Sequence, residues 1–339
     1  MMGRGAGERI LDYLRIGRAH TASMEMGFMP LAAYLGGVSP LLLPVLAVLG
    51  WIVHVNGFGM NSVTDFVYGF DAADPAKAHH PLPAGRLTVT QAWLFVMATH
   101  LAALAGFLLL SRSYCADAAL AVYIVAGWWY NIYAKRHKVA GIVSIGVSFA
   151  SLFLATSMIA GARPSILAIM IAAYMGLYNS IGVMVAGDIK DLSTRSNEVN
   201  VMRMLGVRLS GDELTVTRAA TAWAVALNMI AAALLTGIAA ASRAPWFWVA
   251  AIAALAAGSL ARYALTLMRP GPFRREWRLK VWGAGQAWSY VLLILAVIPL
   301  MWSWLPGAVA LFLVVPVIYF YAMNRIMWPR SGSGWAPGV

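Results

Sequence analysis

Acidic residues are scarce in this chain, 13 Asp and Glu in 339 residues, and their placement is uneven. Asp65, Asp71 and Asp74 fall within "NSVTDFVYGFDAADPAKAHHPLPAG" (61–85), and Asp188 and Asp191 within "GDIKDLSTRSNEV" (187–199). Each run ends a long apolar stretch. Carboxylates at the edge of a membrane segment are costly, so they point to function by default. Asn61 and Asp65 are four apart and Asp188 and Asp191 three apart, so on a helix each pair shares a face. Asp71 comes six residues after Asp65, the wrong spacing for that face, but Gly69 lies between them and can break the helix and let Asp71 fold back. Two such clusters facing each other suit Mg²⁺, which takes one or two carboxylates per site and fills its octahedron with water and substrate phosphates. Lys135, Arg136 and Lys190 supply cations on the same side. The competing reading is a pair of acidic helix ends in solvent.

The elements that must position these residues are membrane spans. The chain is 61% hydrophobic and 11% charged, against roughly 25% charged residues in a soluble domain. Apolar runs recur at 21–38, 41–64, 90–110, 116–133, 140–161, 165–187, 217–241, 245–267, 281–301 and 305–324, the length expected of transmembrane helices. The first is short and carries Glu25, and the break at "WSWLP" (302–306) is soft. The expected architecture is all-α: a polytopic transmembrane bundle of nine or ten helices around a central chamber, forming one integral membrane domain over 1–339. Residues 1–20 mix both charge signs without an apolar core, which reads as an amphipathic helix on the membrane surface rather than a signal peptide. Residues 328–339 read as a flexible tail. The one cysteine, Cys115, excludes an internal disulfide and a cysteine metal site.

Charge placement fixes an orientation. With ten spans, one set of loops holds every Lys and Arg except Arg112, Arg163 and Arg243. The positive-inside rule then puts both termini and both aspartate loops in the cytoplasm. The net charge of +12 is accounted for by topology, anionic lipid headgroups and an anionic substrate, with no nucleic-acid partner.

Taken together, these residues resemble the UbiA-type intramembrane prenyltransferases. That family carries one aspartate-rich motif after its second helix, commonly N-D-x-x-D-x-x-x-D followed by R-P-L-P-x-G, and another after its sixth. Here Asn61 and Asp65 match the family's Asn and second Asp, Ser62 replaces the first Asp, and Asp71 comes two residues late. The resulting N-x-x-x-D-F-x-x-G-x-D spacing is similar to the branch that prenylates naphthoate in menaquinone synthesis. His80 stands in the usual Arg place, while Pro81, Leu82, Pro83 and Gly85 are kept. "RIGRAHT" (15–21) resembles the family's R-P-x-T, with Arg18 in the Arg place. "YNIYAKRHKVAG" (130–141) resembles its Y-x-x-x-x-K-R segment, with Tyr130, Lys135 and Arg136 in place. In "GDIKDLSTRSNEVNVMRMLG" (187–206) the second motif is shortened to Asp188 and Asp191, with Asn200 replacing a threonine. The correspondence covers about residues 10–210, with no motif beyond.

The resemblance implies a Mg²⁺-dependent prenyltransferase acting on a polyprenyl diphosphate such as geranylgeranyl diphosphate. Asp65, Asp71, Asp188 and Asp191 would be the catalytic metal ligands, with two or more Mg²⁺ ions bridging them to the diphosphate. Asn61, Lys135, Arg136, Lys190, Tyr130, Arg18 and His80 would bind the substrate. Charge growing on the leaving diphosphate would be neutralised there, with hydrogen bonds from the cations. The allylic carbocation would sit in a dry chamber, where Tyr130 or Trp128 offers a π face. An electron-rich, apolar or amphipathic acceptor then attacks it. The Asp71 spacing favours a quinone-precursor arene; the PLPAG turn also occurs in branches that use 4-hydroxybenzoate or an archaeal glycerol-phosphate ether lipid.

A transporter with carboxylate ion sites is the rival class. Its sites would lie near mid-bilayer between inverted repeats, whereas these carboxylates lie at one membrane edge and no repeat of the motifs is visible. His79 and His80 read as loop residues that touch the diphosphate or lie in solvent. Asn56 either lines the chamber or hydrogen-bonds a neighbouring helix. The basic loop "RPGPFRREWRLK" (269–280) reads as a topology and headgroup element.

Overall fold

A computed structural model of the chain describes residues 5–71, 77–193 and 200–328. Its α-helices are α1 Ala6–Ile16, α2 Ser23–Leu35, α3 Leu43–Val67, α4 Val89–Leu110, α5 Tyr114–Ile132, α6 Lys138–Ser157, α7 Ile166–Ile181, α8 Asp188–Lys190, α9 Val201–Met204, α10 Arg218–Ala241, α11 Trp246–Leu267, α12 Arg275–Val297, α13 Leu305–Val309 and α14 Val315–Met327. Every apolar run read from the sequence is helical, and among the described residues seven helical stretches are long and apolar enough to cross a membrane. Large apolar side chains such as Leu101, Leu109, Val125 and Trp246 point outward, which suits lipid rather than water as the surrounding solvent. At 13 residues α2 is the shortest of the expected spans. The soft break before residue 305 is a 3₁₀ turn, Ile298–Trp304, and the path from Arg275 to Met327 stays helical throughout.

Local chemistry sets the helix starts. Thr88 and Gln91 exchange side-chain and backbone hydrogen bonds in a capping box that opens α4. Ser165 caps α7 and Thr217 caps α10.

The chain divides into two compact units. The first comprises residues 1–117, 156–163 and 309–339. In it α2 and α3 pack at backbone distance: a Cβ on Gly50 would lie 2.4 Å from the Glu25 carbonyl oxygen. Such closeness between membrane helices requires a residue without a side chain. Asn56 Nδ2 donates to the Val96 carbonyl at 2.7 Å, so this residue ties α3 to α4. The expected surface segment is helical as α1, with its buried Asp12 paired to Arg15 and Arg86, each at 2.9 Å. Arg15 also donates to the Met327 carbonyl and lies over the Trp328 ring. Trp328, the first residue of the expected tail, is thus packed; residues 329–339 lie outside the described residues.

The second unit comprises residues 118–155 and 164–308. Gly146 and Gly176 let α6 and α7 approach each other, a Cβ on Gly176 lying 2.7 Å from the Gly146 carbonyl oxygen. Tyr178 donates to the Gly285 carbonyl at 2.8 Å and Tyr174 bonds Ser289, fixing α7 to α12. An antiparallel sheet of three short strands, β1 Arg208–Ser210, β2 Glu213–Thr215 and β3 Gly271–Pro272, closes the loops between helices. Within the basic loop Arg278 is buried and donates to the Leu267 and Arg269 carbonyls at the end of α11. One cation of that loop is therefore a helix cap rather than a headgroup contact.

Candidate functional site

The first unit carries the Asn61–Asp71 motif. α3 runs to Val67, and Gly69 then takes a left-handed φ of 77°, a conformation open to glycine without a steric penalty. The reversal lets the Phe70 and Asp71 amides donate to the Asp65 carbonyl at 2.9 and 3.4 Å. Asp71 is thereby returned to the helix end that carries Asp65, and both side chains are buried. Asn61 is half-buried one turn before Asp65. Ser62, which stands where the resembling family has an aspartate, is buried and donates to the Ile16 carbonyl at 2.8 Å. A carboxylate there would face that carbonyl, so Ser62 is a structural tie and no metal ligand. Asp74 lies outside the described residues.

The PLPAG turn follows. The Ala84 amide bonds the His80 carbonyl, Gly85 bonds Leu82, and Arg86 bonds Pro81. Gly85 takes φ 65°, and the turn delivers Arg86 to Asp12 of α1. The motif therefore anchors the loop to the N-terminal helix. His80 is buried rather than solvated. Burial, then Lys77, Arg18 and His79, hold its imidazole well below the ordinary histidine range. His20, which sequence reasoning missed, is buried beside it in character: burial, then Arg18, His54 and Lys77, lower it to about 3. Neither ring nitrogen of His20 has a hydrogen-bond partner among the described residues. Arg18 adopts φ 45°, uncommon for a residue with a side chain, and its guanidinium lies 5.1 Å over the Phe58 ring.

The second unit carries the other aspartates. α7 passes into a π-helical segment, Gly182–Gly187, immediately before Asp188. Such bulges recur at functional sites. This one packs on α12, where a Cβ on Gly182 would lie 2.9 Å from Gln286 Nε2. Asp188 is buried, and its Oδ2 accepts the Val201 amide at 2.7 Å while its carbonyl accepts from Asn200 Nδ2. Asn200 in turn caps α9 through the Arg203 amide. Asp188 is therefore tied to the start of α9. Asp191 is paired with Lys190, Nζ to Oδ1 2.6 Å.

Lys135 and Arg136 sit in a 3₁₀ turn after α5. They differ in environment: Lys135 is half-buried, whereas Arg136 is exposed and donates to the Ile132 carbonyl at 3.1 Å. Tyr130 and Trp128 are half-buried on α5.

The donor sets suit a hard, phosphate-bound cation. Among the described residues no three His, Cys, Asp or Glu side chains form a ready cage. The acids come in pairs, Asp65 with Asp71 and Asp188 with Asp191. That pattern fits Mg²⁺, whose remaining positions go to water and phosphate.

The sequence profile of the UbiA prenyltransferase family matches residues 26–283, well over half of the chain and past the last motif legible by eye. No curated protein sequence matches the chain. Among solved structures, the fold is similar to a digeranylgeranylglyceryl phosphate synthase (15% identity, TM-score 0.57, covering 89% of this chain and 99% of that one). It is also similar to a UbiA homologue from Archaeoglobus fulgidus bound to GPP and Mg²⁺ (17% identity, TM-score 0.57, covering 85% and 99%). The same homologue bound to DMAPP and Mg²⁺ matches with 17% identity and TM-score 0.55, covering 83% and 99%.

Proposed function

Because the chain belongs to the UbiA prenyltransferase family, an integral membrane family that acts on prenyl diphosphates, we propose that it transfers a polyprenyl group to a hydroxylated aromatic quinone precursor. Asp65 and Asp71, and Asp188 and Asp191, would hold Mg²⁺ and through it the diphosphate. Both motif loops face the cytoplasm. Bound Mg²⁺ supplies neutralising charge for the departing diphosphate.

The chain's own groups do the rest. Asn61, half-buried one turn from Asp65, hydrogen-bonds the diphosphate. Lys135 adds a point charge where negative charge grows, and the half-buried Tyr130 presents a ring to the allylic cation. Apolar helices keep water from that cation. Arg136 is assigned a lesser part, since it already caps α5.

One observation carries the reading: the Gly69 reversal brings Asp71 back to Asp65 with both carboxylates buried. Two buried acids brought to one helix end suit a hard cation that also takes phosphate oxygens. The naphthoate-type spacing around Gly69 favours the aromatic acceptor.

The test is transfer from labelled geranylgeranyl diphosphate by purified protein with Mg²⁺. 1,4-Dihydroxy-2-naphthoate, 4-hydroxybenzoate and geranylgeranylglyceryl phosphate serve as parallel acceptors. Label is expected on the naphthoate and lost when EDTA exceeds the metal. Label only on the glycerol-phosphate lipid moves the acceptor to the ether-lipid class. Undiminished transfer in EDTA removes the metal mechanism.

A further inference from the structure

Glu25 is the one acid within the expected first span, and binding of the donor diphosphate leaves it unused. Its side chain is buried on α2. Its Oε2 lies 2.7 Å from Nδ1 of His54, buried on α3. On the other side of the imidazole, Nε2 lies 3.0 Å from Thr21 Oγ1 and 3.3 Å from the Arg18 carbonyl. The imidazole thus lies between a carboxylate and a hydroxyl. The Glu25–His54 approach is a close carboxylate–imidazole contact without hydrogen-bond geometry; the tautomer that carries its proton on Nδ1 leaves Nε2 to accept from Thr21.

Three features hold this array in place. Gly50 lets the Glu25 backbone sit directly on α3. The His54 ring packs on Phe58, centroids 4.4 Å apart, which fixes its orientation. The left-handed Arg18 aims its carbonyl so that it accepts both the Thr21 amide at 2.8 Å and the Thr21 hydroxyl at 2.9 Å. Strain of this kind persists only where the surroundings impose it, and it clusters at sites of function. The Thr21 hydroxyl donates to Arg18 O and also lies 3.0 Å from His54 Nε2, so redirecting its proton to that nitrogen needs only rotation about one bond.

Position gives the array its meaning. His54, Phe58, Asn61 and Asp65 are spaced four, three and four apart, so they occupy one face of α3. His54 lies two turns below Asn61, about 10 Å along the axis, the reach of a bicyclic arene. Thr21, unlike His54 and Glu25, is only half-buried.

We infer that Thr21, His54 and Glu25 form the relay that accepts the proton of a hydroxylated aromatic acceptor, with Thr21 as the group that touches it. The inference rests on the proposed prenyl transfer. The allylic C–O bond breaks and its electron pair leaves on the diphosphate. A ring carbon of the acceptor gives its pair to the allylic carbon. The acceptor's hydroxyl proton passes to Thr21 Oγ1 as the Thr21 proton passes to His54 Nε2. The ring ketone so formed tautomerises to the arenol, the ring C–H proton moving to oxygen, and His54 returns its proton to water as products leave. Glu25 touches neither substrate; it is a positioning residue that sits against the far side of the imidazole.

The test compares full-length wild type with four variants, each with Mg²⁺, geranylgeranyl diphosphate and 1,4-dihydroxy-2-naphthoate, and each melted in the same detergent. His54→Gln is expected to lower kcat by about 10²- to 10⁴-fold while the donor KM is unchanged. Thr21→Val is expected to lose at least about 10-fold in kcat, and Thr21→Ser to recover it to within about threefold, because only the hydroxyl matters. Glu25→Gln is expected to fall between wild type and His54→Gln. Equal kcat in Thr21→Val and Thr21→Ser overturns the relay, as does a lower melting temperature with unchanged kcat, which marks a buried tie between α2 and α3. A wild type that consumes donor with no hydroxyarene overturns the underlying acceptor reading, and is seen before any variant is made.

Discussion

Lys190 Nζ lies 2.6 Å from Asp191 Oδ1, an ion pair between neighbours just beyond the π-helical segment. The lysine already satisfies the carboxylate that the proposed mechanism assigns to metal. Both side chains are partly exposed, so the pair is worth about 0.2–1 kcal/mol. Lys190→Met should therefore lower the Mg²⁺ concentration for half-maximal transfer by up to about fivefold. A raised Mg²⁺ requirement in a metal titration would instead place Lys190 on the diphosphate.

The four aspartates should not respond alike. Asp65→Ala and Asp191→Ala are expected to abolish transfer and leave the melting temperature close to wild type. Asp188 also accepts the Val201 amide. Asp188→Ala should therefore lose transfer and about 0.5–2 kcal/mol of stability, the worth of a lost cap. Asp188→Asn keeps an oxygen for that amide and should lose transfer with most of the stability retained. Paired assays and thermal melts of the three Asp188 forms check this.

Gly69→Ala tests the reversal that returns Asp71. Nothing lies within 4 Å of an added Cβ, yet φ is 77°, so the cost is conformational, about 1–2 kcal/mol. If the chain relieves it by opening the turn, Asp71 leaves Asp65. kcat is then expected to fall far more than the melting temperature, and more Mg²⁺ should not restore it. Retained kcat would show that Asp71 is dispensable.

This reversal was legible in the sequence because it is local: two aspartates, a glycine between them and an apolar helix before them. The paired acids and the helical segments were legible for the same reason. The Glu25–His54 contact was not, since the residues lie 29 apart and meet only when α2 crosses α3 at Gly50. Glu25 was visible only as a charge that weakened a span. Ser62 shows the same limit: its change from the family's aspartate makes sense only once Ile16 is seen above it. His80 read as a loop residue because burial of a loop depends on α1 and on Arg86 holding Asp12. The hairpin of β1 and β2 was missed because its three-residue strands are too short for alternation to register; Gly211 before Asp212 was its one signal.

Acid should destabilise the protein through its buried histidines. His20 is lowered to about 3 and His80 is lowered as well, both mainly by burial. A folded-state value below the unfolded one means that the unfolded chain binds the proton first. Stability is then full above about pH 6.5 and falls as pH drops toward 3, by up to about 1.4 kcal/mol per pH unit for each histidine. The melting temperature of His20→Asn is expected to change less than that of wild type between pH 7.5 and pH 5. Parallel slopes would mean that other groups carry the acid response.

Lys135 and Arg136 are neighbours in one turn, and positive-inside sorting by itself explains cations there. Their environments separate them. Arg136 is exposed and satisfies the last carbonyls of α5 through Ile132, so Arg136→Met should shift kcat by no more than a few fold. Lys135 is half-buried. If its charge stabilises the leaving diphosphate more than the bound one, Lys135→Met lowers kcat and kcat/KM together. One charge-assisted hydrogen bond in a dry site is worth about 2–4 kcal/mol, or roughly 30- to 1000-fold. An inverted protein would give the same loss, so the orientation of each variant has to be read on the same membranes by labelling Cys115, which is exposed. Correctly inserted Lys135→Met with wild-type kinetics would assign both cations to topology. A rise in the donor KM alone would make Lys135 a binding residue with no share in the chemistry.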